Sequence, residues 1–125
     1  MIKKDFYFIP GFDKYYSISK CGVVKRNRRF SDKGRIIEEL ILKPPNTDEN
    51  YYIKYHLTIN GKRKACYLHR ILAKTFISNP ENKPCVNHKN GNKLDNSLSN
   101  LEWATYSENT KHAYQAGLIK KKSNA

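Results

Sequence analysis

Residues Tyr51 to Ile59 alternate in polarity, Asn60-Gly61 follows, and Lys62 to Leu68 runs back. Asn-Gly accepts positive φ at both central positions of a type I′ turn, whose twist matches that of paired strands. The segment is therefore predicted to be a tight β-hairpin. Directly after it, apolar Ile71, Leu72, Phe76 and Ile77 recur at helical spacing within His69 to Ile77, until Ser78-Asn79-Pro80 stops them. One face of that helix is expected to pack on the hairpin.

Upstream, Phe6, Phe8 and Ile9 precede Pro10-Gly11, and Tyr16, Ile18, Val23 and Val24 flank Gly22. β-branched and aromatic residues interrupted by Gly and Pro predict short strands rather than a helix. Arg35 to Leu42 is expected to add one more strand, ended by Pro44-Pro45-Asn46 and Asp48-Glu49-Asn50. Downstream, Cys85 to His88 and Leu101 to Ala104 predict two short extended segments around a loop of turn formers. A helix should follow, N-capped by Thr105 or Ser107, with Glu108 at the positive end of its dipole and Gly117 as C′ residue. The fold class is α+β with a β-rich N-terminal part. The chain divides into a β-rich stretch over 1–50, hairpin to last helix over 51–117, and a basic tail over 118–125 with Lys120, Lys121 and Lys122.

A length of 125 residues leaves room for one core, not two. Against 11 acidic residues stand 24 Lys and Arg, a formal net charge of +13, which calls for a polyanionic partner and first of all nucleic acid. A mean hydropathy of -0.80 excludes the roughly 20-residue apolar run that a membrane helix needs. The start, MIKKDFYFIPGFD, lacks the apolar run of a secretory signal, and a cytoplasmic protein is expected. Cys21, Cys66 and Cys85 are odd in number and far apart, so reduced, partly buried thiols are expected rather than a disulfide or a Cys-rich zinc site.

In VNHKNGNKLDNSLSNLEWATYSENTKH, amides dominate where carboxylates would ordinarily hold a metal. Asn87-His88, Asn100 ahead of Leu101-Glu102-Trp103, and Asn109 in the helix resemble the ββα-metal (His-Me) finger of HNH endonucleases, and more closely that of phage-encoded HNH homing endonucleases. IPGFDKYYSISKCGVVKR resembles the nuclease-associated modular motif that precedes such fingers, and YLHRILAKTFISNP the lead-in of the same family. Three segments in the right order cover most of residues 7–117.

The resemblance implies a ββα-metal finger and a metal-dependent DNA endonuclease, of homing or nicking type, with a bacterial cytoplasm as its setting. Phosphodiester hydrolysis needs a water nucleophile, a base and a cation. His88 would be the base, with its unperturbed pKa near neutrality. Asn87 and Asn109 would hold one divalent ion, Mg²⁺ with Mn²⁺ as substitute, and Asn100 would brace the loop. Some relatives carry Asp where this chain has Asn87, so weak metal affinity without DNA is expected. His112, one turn beyond Asn109, is either an additional ligand or phosphate contact, or a solvated or N–H-donating helix histidine. The asparagines could also be ordinary turn and cap residues. His69 is assigned to packing and hydrogen bonding between hairpin and finger, His56 to the surface, and Trp103 to the core beneath the finger.

Candidate contacts to double-stranded DNA are Lys25, Arg26, Arg28 and Arg29 in one cluster and Lys62, Arg63 and Lys64 at the hairpin, with Arg70 and Lys89 as clamps on the scissile phosphate. A monomer is expected. The competing reading is a DNA-binding module that keeps the finger shape without cleavage.

Overall fold

The computed structural model describes residues 5–45 and 52–115. Tyr51, Gly117 and the three tail lysines lie outside them.

Three short strands, β1 (Tyr7–Phe8), β2 (Tyr16–Ile18) and β3 (Val24–Arg26), form an antiparallel sheet with β6 (Leu40–Ile41), in the order β1-β2-β3-β6. A separate ribbon, β4 (Arg29–Phe30) with β5 (Ile36–Ile37), projects from it. The single strand expected over Arg35 to Leu42 is thus two strands on two sheets. Between them the chain bends at Glu38, whose carbonyl accepts hydrogen bonds from Nε and Nη2 of Arg26, both at 3.0 Å.

The hairpin consists of β7 (Lys54–Ile59) and β8 (Lys62–Tyr67), in register from Lys54 opposite Tyr67 to Ile59 opposite Lys62. Asn60 (φ 51°) and Gly61 (φ 73°) are both left-handed, as a type I′ turn requires. Alternation works as expected along β7: Tyr55, Leu57 and Ile59 point inward, while Lys54, His56 and Thr58 are exposed. Helix α1 (Leu68–Phe76) follows at once, and buries Leu68, His69, Ile71, Leu72 and Ala73.

One cluster of buried apolar side chains draws on the N-terminal sheet, the hairpin, α1 and the finger strands. Ile18 and Val24 of the N-terminal sheet, Leu57 of the hairpin and Leu72 of α1 are its largest fully buried members, and Val86 and Leu101 join it from the finger. The turn before β3 comes very close to α1. A Cβ on Gly22 would stand an ordinary 3.6 Å from a Leu68 methyl, so it is the left-handed backbone (φ 88°), not packing, that favours glycine there. The Tyr16 hydroxyl accepts a hydrogen bond from the Thr58 amide at 3.0 Å and ties the sheet to the hairpin.

The finger pairs β9 (Cys85–His88) with β10 (Leu101–Ala104), Leu101 opposite His88 and Glu102 opposite Asn87, and α2 (Tyr106–Gln115) packs on both. A capping box starts α2: the Glu108 amide donates to Thr105 Oγ1 at 3.1 Å, and the Thr105 amide to Glu108 Oε1 at 3.0 Å. The Trp103 indole N–H donates to the Ile77 carbonyl at 3.0 Å, seating the finger on the end of α1. No disulfide joins the three cysteines, and Cys21 is exposed rather than partly buried because it sits at the tip of the β2–β3 turn.

Candidate active site

His88 ends β9, buried to 5% exposure. Its Nε2 lies 2.8 Å from Asn96 Oδ1. An amide oxygen can only accept, so Nε2 carries the hydrogen and Nδ1 keeps the lone pair. Burial holds the His88 pKa below its ordinary value, with the Lys93 charge adding to the effect and the Asn96 bond and Asp95 opposing it. The ring is therefore neutral near pH 7, which suits a base.

Asn87 donates through Nδ2 to Glu102 Oε1 at 3.0 Å, its partner across the ladder. A carboxylate accepts only, so the Asn87 Oδ1 is the end left to act as a ligand. The loop between the strands is held by its own side chains. Asn100 donates from Nδ2 to Asn90 Oδ1 (3.0 Å) and the Asp95 carbonyl (2.8 Å), and its Oδ1 accepts from the Asn90 amide (3.0 Å). Asp95 accepts from Asn90 Nδ2 at 2.8 Å and the Ser97 hydroxyl at 2.7 Å. These bonds hold its carboxyl below the usual carboxylate range, Ser97 first. Asn96, the partner of His88, is presented by this braced loop.

A cavity of about 220 Å³ opens beside His88, walled by Tyr52, Asn87, Gly91, Lys93, Asn109, His112 and Ala113. His112 Nε2 lies 2.7 Å from the Lys89 carbonyl, which fixes the hydrogen there. Its Nδ1 is buried without a hydrogen-bond partner. His112 is thus an N–H-donating helix histidine, and the lone pair at its Nδ1 lies on a wall shared with Asn87 and Asn109. Among the described residues no group of three or more His, Cys, Asp and Glu side chains could hold a metal ion. The donors here are amides and one imidazole.

His69, assigned to packing and hydrogen bonding between hairpin and finger, lies against His88 itself. Its ring centroid is 4.9 Å from that of His88 and 4.8 Å from that of Tyr52, which stacks at 26°. Burial, with the His88 and Arg70 charges adding to it, lowers its pKa to about 3.

Arg70 does not line this cavity. Next to His69 on α1, it projects elsewhere around the helix; Nη1 donates to the Pro84 carbonyl at 2.8 Å and the guanidinium stands 5.9 Å from the Trp103 ring. Lys89 lines the neighbouring cavity with Glu102 and Trp103, and gives the site its backbone carbonyl only. The cation on the His88 cavity is instead Lys93, which sequence reasoning missed, together with Tyr52, Asn96 and Glu102. The only available signal was the density of turn formers around them.

The first basic cluster is largely engaged within the fold. Lys25 lies over Phe6 (4.4 Å) and near Glu39 (3.5 Å), Arg28 pairs with Glu38 (3.7 Å), and Arg29 covers Tyr15 at 3.9 Å. Lys62, Arg63 and Lys64 are exposed on β8, and no acidic residue occurs between residues 52 and 80.

An antiparallel pair, a cross-braced loop and a helix around one buried neutral histidine define a finger of the nuclease class. Comparison with known proteins agrees. Residues 66–111 match the HNH endonuclease family and residues 6–58 the NUMOD4 motif. The chain is a member of the HNH endonuclease family, carrying an HNH domain behind a NUMOD4 motif. It is 39% identical over 92 residues to the SPbeta prophage-derived putative HNH homing endonuclease YosQ of Bacillus subtilis, covering 71% of this chain and 53% of that one. To the DNA endonuclease I-HmuI of Bacillus phage SP01 it is 30% identical over 112 residues, 89% of this chain and 58% of that one. An HNH endonuclease of Acanthamoeba polyphaga mimivirus is 38% identical over 109 residues, 87% of this chain and 29% of that one. A solved structure of I-HmuI, described as DNA binding and cleavage by the HNH homing endonuclease, superposes with a TM-score of 0.69 at 29% identity, over 94% of this chain and 62% of that one. The chain thus spans less than two thirds of the length of each of these relatives. No described helix is long and apolar enough to cross a membrane.

Proposed function

We propose that this chain is a metal-dependent DNA endonuclease of homing or nicking type, in which His88 activates the water that attacks a phosphodiester. The observation that carries the reading is the contact of His88 Nε2 with Asn96 Oδ1: it assigns the hydrogen to Nε2 and leaves the Nδ1 lone pair on a buried, neutral ring beside a polar cavity.

His88 takes the proton of the attacking water at Nδ1, and Asn96 stabilises the imidazolium that forms, as orienting partners of catalytic histidines do. Tyr52 and His69 hold the plane of the ring. Asn100 keeps the loop that carries Asn96 in place. The donor set fits a divalent ion: Asn87 Oδ1, the Asn109 side chain and His112 Nδ1 would hold it. When bound, Mg²⁺ or Mn²⁺ supplies positive charge to the phosphate and the leaving oxygen. All three donors are neutral, so DNA phosphates complete the charge balance and affinity without DNA is weak.

The substrate is double-stranded DNA, bound first by the exposed Lys62, Arg63 and Lys64 of the hairpin, with Lys25, Arg26, Arg28 and Arg29 as further contacts. One finger cuts one strand, and the chain works as a monomer. Relatives from a phage, a prophage and a giant virus support a virus-borne gene working in the cytoplasm of its host. The test is conversion of supercoiled plasmid to the nicked form with Mg²⁺ or Mn²⁺, beside an EDTA control and His88→Ala. Metal-dependent nicking that disappears in the variant is the expected result. Tight, salt-sensitive binding without nicking by the wild type would instead make the chain a DNA-binding module.

A further inference from the structure

We propose that Lys93 and Tyr52 form a phosphate-binding subsite on the wall of the His88 cavity, with the Lys93 ammonium contacting the phosphate that is cut. This rests on the nuclease reading above.

A phosphodiester brought to His88 carries a negative charge, and the cavity that must receive it offers amides and imidazoles on most of its wall. Among its lining residues Lys93 is the one Lys or Arg side chain. Its position is set by contact. The ammonium lies 4.9 Å from the centroid of the Tyr52 ring, and that same ring stacks on His88 at 5.8 Å and 28°. Lys93 and His88 are therefore referenced to one aromatic ring, through a cation–π contact and through ring stacking. The backbone beneath Lys93 is held as well. The Asn92 amide donates to Asn90 Oδ1 at 2.8 Å and the Leu94 amide to Asn92 Oδ1 at 3.0 Å, inside the loop that Asn100 braces.

Lysine brings a compact point charge rather than a bidentate fork, which suits a phosphate whose other oxygens are engaged by a metal ion. The two cations that sequence position alone put beside the scissile phosphate are directed elsewhere. Arg70 is tied to Pro84, and Lys89 lines the cavity around Trp103. A preorganised cation at this wall acts where charge develops during attack, and removing one such group costs about 10²–10³ in rate.

The experiment compares wild type, Lys93→Met and Lys93→Arg in two assays, after thermal melts confirm that the variants fold. In single-turnover plasmid nicking at saturating protein, Lys93→Met is expected to be about 100-fold slower and Lys93→Arg to recover part of the rate. In EDTA, with a duplex oligonucleotide as the probe, the slope of log affinity against log salt should become shallower by about one in Lys93→Met. Nicking by Lys93→Met within threefold of wild type, or an unchanged salt slope, would overturn the subsite. If wild type itself nicks nothing, the nuclease reading fails and the salt slope alone decides whether Lys93 contacts phosphate.

Discussion

Acid should destabilise this protein through a histidine that the proposed chemistry never protonates. His69 is 7% exposed, and its pKa falls to about 3 from an ordinary value of 6.5, chiefly through burial. In the unfolded chain the ring takes a proton as pH drops through 6.5, whereas in the folded chain it refuses one until about pH 3. The unfolded state thus binds more protons throughout that window, so the contribution is complete above pH 6.5 and is lost progressively as pH falls toward 3. The corresponding loss is about 2 kcal/mol by pH 5 and about 4 kcal/mol by pH 3. For a chain of this size the first figure lowers the melting temperature by about 6–10 °C. The assay is urea or thermal unfolding at pH 7.5 and pH 5.0 for wild type and His69→Phe, which keeps a ring against Tyr52 but cannot titrate. His88 contributes to both proteins, so the difference between their two pH drops isolates His69. Equal drops within about 0.5 kcal/mol would refute the assignment.

Asn96→Ala removes the acceptor that fixes the His88 tautomer, and cleavage should slow about 10- to 100-fold at unchanged DNA affinity, measured by single-turnover nicking beside filter binding. Leu57→Ala, at a side chain with no exposure, should cost about 2–5 kcal/mol in urea unfolding. Duplex binding should weaken with a log–log salt slope of about -5 to -7 if six to eight phosphates are neutralised, and a slope near -2 would argue against a broad basic interface.

What was legible in the sequence was mostly local. Asn60-Gly61 sets a left-handed pair of residues whatever surrounds it, and the alternation of Tyr55, Leu57 and Ile59 needs only a core on one side. Thr105 with Glu108 three residues on is a capping pattern that closes within one turn of backbone. Leu68 to Phe76 shows its apolar stripe in the same way, and the order of the three motif segments was enough to indicate a finger. By contrast, Arg35 to Leu42 looked like one strand because strand propensity is blind to partners. Only the Arg26 guanidinium on the Glu38 carbonyl shows where the chain changes sheet.

The site divides along the same line. Which residue types could do the chemistry, and that Asn87, His88, Asn100 and Asn109 belong together, follow from the sequence and its family pattern. Side-chain direction does not, because it depends on contacts between residues far apart in the chain. Arg70 stands beside His69 in sequence, yet one of these side chains meets His88 while the other reaches Pro84, since neighbours on a helix point about 100° apart. Lys93 and Tyr52 are 41 positions apart and become one wall only when the hairpin and the finger loop share a core. The tautomer of His88, the unpartnered nitrogen of His112 and the low pKa of His69 are likewise products of burial and of the groups that burial brings together. Local steric rules wrote the elements into the sequence; the tertiary structure decided which of its many cations and imidazoles face one another.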